Sequence, residues 1–222
     1  EKYVHRVPDD WSYEDAAWVE TFSIGYYGIW GNRGYVDASD IVIIMGCGPV
    51  GVSALMTAKT SGAKVIVVEP LPMRAEIARK FGADAVINPT KVNLADEVRR
   101  LSDGRMGTLV VEASGNDKAI ASLFEVAGHS ARVRLIGHSV GRKVPVEIGR
   151  TIWSTLSISG SGGTKDFGQR TIRFMSAIRN RYDIGALNTH FYRFADIQQA
   201  FHTACELKSA AFKVMLKFDM DD

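Results

Sequence analysis

Three glycines and an acid carry the first chemical suggestion in this chain. Gly46, Gly48 and Gly51 fall in the turn Gly46-Cys47-Gly48-Pro49-Val50-Gly51, between the apolar run Ile41-Val42-Ile43-Ile44-Met45 and a helix-like stretch from Val52 to Lys59. Glu69 ends a second apolar run, Val65 to Val68. A strand, a glycine-rich turn, a helix, a strand and an acid are the parts of a dinucleotide-binding site. Gly46 permits the tight turn, Gly48 lets a pyrophosphate approach the backbone, and Gly51 lets helix and strand pack with no side chain between them. The helix start at Pro49 and Val50 presents unpaired N–H groups and a partial positive charge to phosphate. The competing reading is a packing turn in some other α/β protein, with Glu69 merely solvated.

Glu69 also bears on which dinucleotide would bind. A carboxylate there can accept hydrogen bonds from the adenosine ribose hydroxyls and repels a 2′-phosphate, which favours NAD over NADP. Arg74 pulls the other way, since a nearby guanidinium can accept a 2′-phosphate. With Glu69 in front of it, Arg74 reads as a ribose or adenine neighbour, or as a helix-surface charge.

The elements that must position these residues alternate along the chain. An extended lead-in ends at Val7-Pro8-Asp9-Asp10, and Ser12 caps a helix that runs through Ala16, Ala17 and Val19 towards Tyr27. Strand 41–45 is followed by helix 50–60, strand 64–69, helix 72–81, a short strand 85–87 and helix 94–101. Strand 108–113, helix 117–127, strand 132–137 and a last strand 156–159 complete the series. Runs such as Leu109-Val110-Val111 are apolar on both faces, as a covered parallel sheet requires. The alternation predicts an α/β fold, a Rossmann doubly wound parallel sheet with helices on both faces. Gly46, Glu69, Gly115 and Gly137 then lie at the carboxyl ends of strands, where such sheets bind ligands. After residue 160 the pattern changes. Gly160-Ser161-Gly162-Gly163 is flexible, helices follow near 166–180 and 195–206, and a final strand sets Phe212, Val214, Leu216 and Phe218 against Lys213, Met215 and Lys217.

Composition narrows the class. With 27 Lys and Arg against 25 Asp and Glu, the net charge of +2 and the absence of a long basic run argue against nucleic acid as a partner. No apolar segment approaches the ~18 residues of a membrane span, and the N-terminus carries no signal-peptide pattern. Cys47 and Cys205 are the two cysteines. One lies in the glycine turn, so a reducing, cytoplasmic setting is expected rather than a structural disulfide.

At this point the chain resembles the medium-chain dehydrogenase/reductase family, in particular its zinc-dependent alcohol and polyol members of the sorbitol, threonine and butanediol dehydrogenase type. Val7-Pro8-Asp9 with Tyr13-Glu14-Asp15-Ala16-Ala17 is similar to the family's approach into its cofactor domain. Val19-Glu20-Thr21-Phe22-Ser23-Ile24-Gly25 resembles a stretch of sorbitol-type members. Arg74 with Ala78, Phe81-Gly82-Ala83-Asp84, Val86-Ile87, Val111-Glu112-Ala113-Ser114-Gly115 and Phe212-Lys213-Val214-Met215-Leu216-Lys217 match as well.

The resemblance implies an NAD-dependent oxidoreductase that moves a hydride between a secondary alcohol (of the polyol, diol or cyclitol class) or its ketone and NAD. It implies that Gly46 to Gly51 take the pyrophosphate and Glu69 with Arg74 the adenosine ribose. Gly115, Gly137, Ser161 and Gly162 would line the nicotinamide side, and Lys213 would reach the pyrophosphate. Zinc is the second implied cofactor. Glu20 stands where the family places a carboxylate at or near it, although Thr21 replaces the usual Pro. The Cys and His-Glu ligands of a GroES-like catalytic domain are missing, and His5, His129, His138, His190 and His202 lack metal-ligand spacing. No catalytic residue is therefore expected within this segment. The expected organisation is a C-terminal part of a longer enzyme: a catalytic-domain remnant at 1–20, an NAD-binding domain at 21–160 and a return to the catalytic domain at 161–222. The remnants should expose apolar side chains such as Phe212 and Phe218. Pairing of edge strand 156–159 across a two-fold axis would give a homodimer, or a homotetramer. A non-catalytic NAD-binding module, decayed or redox-sensing, is the alternative, and a zinc-free quinone or enoyl reductase relative is a third reading that Glu69 argues against.

Overall fold

The computed structural model describes residues 4–31, 35–137, 140–161, 168–207 and 209–218. Its helices are α1 Tyr13–Ala16, α2 Trp18–Trp30, α3 Pro49–Thr60, α4 Pro72–Lys80, α5 Leu94–Leu101, α6 Asp117–Ala121, α7 Leu123–Val126, α8 Gly149–Trp153, α9 Gly168–Ile178 and α10 Ile197–Glu206. Its strands are β1 Ile41–Met45, β2 Lys64–Val68, β3 Ala85–Ile87, β4 Gly107–Glu112, β5 Ala127–Leu135, β6 Ser157–Gly160, β7 Asn188–Arg193 and β8 Lys213–Lys217. They divide between two compact units, Phe22–Thr164 and Glu1–Thr21 with Lys165–Asp222.

In the Phe22–Thr164 unit, six parallel strands form one sheet in the order β3-β2-β1-β4-β5-β6. This is the doubly wound arrangement, with helices on both faces. The order reverses at β1, so the carboxyl ends of β1 and β4 flank the crevice where such sheets bind ligands. Every residue of β1 is buried, because β2 and β4 pair with its two edges and helices cover the faces. Each buried Ile or Val contributes about 1.5–3 kcal/mol of burial free energy. That pins the register of β1 and with it the position of the glycine turn.

Several boundaries differ from the sequence reading, for local reasons. The first helix is two: α1 stops at Ala16, and α2 runs on to Trp30 despite Gly25 and Gly28. Gly25 is tolerated because it lies against α3, where a Cβ would come within 2.6 Å of the Ala54 amide nitrogen. The helix expected over 117–127 is interrupted at Ser122, and β5 already begins at Ala127. The short α8 was not foreseen.

In the second unit, β7 and β8 pair in parallel and α10 packs on both. Trp18 is fully buried there and donates from Nε1 to Asn188 Oδ1 at 2.8 Å. Arg179 binds Asp10 at 2.6 Å and Lys217 binds Glu14 at 2.6 Å. Two expectations for this unit are corrected. Phe212 is buried, not exposed, whereas Phe218 is in solvent with its ring stacked on Phe194 at 4.9 Å, and Phe201 is exposed as well. On β8 the buried residue is Met215, while Val214 and Leu216 are half-buried. The helix expected from residue 166 is seen from Gly168, and the residues before it lie outside those described.

Candidate dinucleotide site

The turn after β1 is built to different rules at each of its three glycines. Gly46 has φ +95°, a left-handed conformation that side chains resist, and a Cβ there would stand 2.7 Å from the Ser114 Cβ. Gly51 cannot carry a side chain either, since its Cβ would lie 2.1 Å from the Gly46 carbonyl oxygen. Gly48 is different. A Cβ on Gly48 would meet only the Arg74 Nη1, at 3.6 Å. Protein packing demands glycine at 46 and 51 and leaves open space at 48.

Gly48 is the N-cap of α3, with Pro49 in the first turn and no acidic residue nearby in that turn. The helix therefore points its unpaired N–H groups and the positive end of its dipole at that space. Val50 completes the first turn, half-buried.

Glu69 stands immediately beyond β2, 3% exposed. Its Oε2 accepts from the Cys47 N–H at 2.8 Å and its Oε1 from the Leu71 N–H at 2.9 Å. The carboxylate is thus a structural part of the turn, not a solvated acid, and each oxygen keeps a lone pair for a further donor. Arg74, in the first turn of α4, brings its guanidinium to Gly48, and its buried Nε has no hydrogen-bond partner. Burial first, and then the Glu69 charge, hold the Cys47 thiol neutral far into the alkaline range, with Arg74 opposing.

The ends of β4 and β5 form the other half of the crevice. Gly115 has φ +63°, and a Cβ on it would meet the Gly137 carbonyl oxygen at 2.3 Å. Gly137 in turn approaches the Gly115 amide nitrogen, so two strand ends meet with no side chain between them. Beneath them lies Glu112, fully buried, whose Oε1 accepts from the Ser114 N–H (2.7 Å), the Ser114 hydroxyl (2.6 Å) and the Gly115 N–H (2.8 Å). Arg142 donates to the Gly115 carbonyl at 3.1 Å and pairs with Asp117. Glu112 and Arg142 were not singled out from the sequence. The acid ending a buried run, as Glu69 does, was the available signal for Glu112. Ser161 follows β6, its N–H donating to the Leu135 carbonyl at 3.1 Å and its buried hydroxyl without a partner. Gly162, expected beside it, lies outside the described residues.

Lys213 and Glu20 belong to the other unit. Lys213 Nζ donates to Thr21 Oγ1 at 3.1 Å and lies 5.2 Å from the Trp18 ring centroid. Burial lowers its pKa, and the Glu20 carboxylate partly opposes this. Glu20 itself is exposed and receives a long contact from Thr21 Oγ1 at 3.4 Å. Among the described residues no group of three or more His, Cys, Asp or Glu could hold a metal ion. A catalytic zinc takes three protein ligands, so Glu20 does not make a zinc site with the residues described. No described helix is long and apolar enough to cross a membrane.

Sheet order and helices on both faces define a doubly wound, Rossmann-like domain. Comparison with known proteins narrows this further. The zinc-binding dehydrogenase family matches residues 49–177, more than half of the chain, and the chain belongs to that family. Sorbitol dehydrogenase of Bacillus subtilis (strain 168) is 28% identical over 215 residues, which cover 96% of this chain and 60% of that protein. L-threonine 3-dehydrogenase of Anaeromyxobacter sp. (strain K) is 28% identical over 204 residues, 89% of this chain and 56% of that one. A Thermotoga maritima structure assigned as an alcohol dehydrogenase superposes with a TM-score of 0.80 at 28% identity, covering 92% of this chain and 53% of its own. The chain spans about 60% of the length of the curated relatives it matches.

Proposed function

We propose that this chain is the NAD(H)-holding part of a zinc-type alcohol or polyol dehydrogenase, acting on a secondary alcohol or the corresponding ketone. The observation that carries the reading is the space at Gly48. Glycine is required by packing at 46 and 51 but not at 48, which caps α3 and where a Cβ would make only an ordinary contact with Arg74, leaving the helix N-terminus and this cation accessible to a pyrophosphate. Glu69 fixes the turn and has lone pairs left for ribose hydroxyls. Its charge disfavours a 2′-phosphate, which supports NAD over NADP.

When bound, the dinucleotide supplies hydride acceptance and return. The residues of this chain hold it: Gly46 to Gly51 the pyrophosphate, Glu69 and Arg74 the adenosine ribose, and Gly115, Gly137 and Ser161 the nicotinamide side. The names of the sorbitol and threonine dehydrogenase relatives support an alcohol carbon as the reacting centre. The described residues do not fit a zinc ion.

A homodimer is part of the same reading. β6 is an edge strand, and Ile148, Ile152 and Trp153 beside it in sequence are exposed. Two free cysteines agree with a cytoplasmic setting. Titrating the chain with NADH while following nicotinamide fluorescence tests the proposal. Saturable binding is expected, and an unchanged spectrum up to millimolar NADH would overturn it.

A further inference from the structure

We draw no further inference here: the strongest candidate, the cavity of about 350 Å³ between the lead-in to α1 and the end of α9, lined among others by Trp11, Asp15, Met175, Arg179 and Asp183, rests on the acids Asp15 and Asp183, and nothing in the structure shows what they would hold.

Discussion

The Glu69 carboxylate accepts the Cys47 N–H at 2.8 Å, fastening the end of β2 to the middle of the glycine turn that follows β1. Its other oxygen takes the Leu71 N–H at 2.9 Å, so one buried acid orders both the turn and the approach to α4. The acid proposed to bind ribose is therefore also a structural one. Glu69→Gln turns one acceptor into a donor facing an N–H, and should cost about 1–3 kcal/mol of stability. Urea denaturation checks this; a variant as stable as the parent would show that the two hydrogen bonds do not matter.

The glycines of the turn should separate by phenotype. Gly51→Ala drives a methyl into the Gly46 carbonyl and should destabilise the fold by about 3 kcal/mol or more. Gly48→Ala adds only an ordinary contact with the Arg74 guanidinium at 3.6 Å, so its stability should stay within about 1 kcal/mol of the parent. Nucleotide affinity should nevertheless fall at least about tenfold, because the methyl occupies the volume assigned to the pyrophosphate. Melting curves alongside NADH titrations of both variants give the comparison. A Gly48→Ala protein that binds NADH normally would remove that volume from the site.

The two thiols should react very differently. Cys205 is exposed, whereas Cys47 is buried with its thiol held neutral by burial and by the Glu69 charge. At pH 8 in native buffer, a chromogenic disulfide reagent should titrate one thiol rapidly and the second only on unfolding. The raised folded pKa also fixes a sign. The contribution of Cys47 to stability is complete below its unfolded value near 9.0 and is lost as pH rises beyond it. Cys47→Ala should accordingly flatten the fall in stability between pH 9 and 10, and an unchanged slope would refute the assignment.

The β6 edge and the exposed side chains before it make the dimer testable. Ile152→Asp with Trp153→Ser should shift the chain from dimer to monomer in sedimentation velocity at micromolar concentration. A parent protein already monomeric there would contradict the proposed assembly.

The sheet was legible because its strands are short β-branched runs closed by glycine or acid. Ile41–Met45 and Lys64–Val68 announce burial on both faces. β7 was not legible. Asn188, Thr189, His190 and Arg193 show no apolar alternation, and the strand exists because β8 pairs with it, a tertiary cause that local pattern does not record. At the site, the glycine turn, Glu69 and Arg74 could be read from spacing. Glu112 ends a buried run as Glu69 does, but its part in ordering the Ser114–Gly115 turn lies in what it touches and shows only in the structure.

The most direct measurement is a side-by-side titration of the chain with NADH and NADPH, followed by nicotinamide fluorescence, with Glu69→Ala in parallel. The account predicts that NADH binds at least about tenfold more tightly than NADPH, since the Glu69 charge opposes a 2′-phosphate, and that the variant narrows this gap. Equal binding of the two, or preference for NADPH, would contradict it.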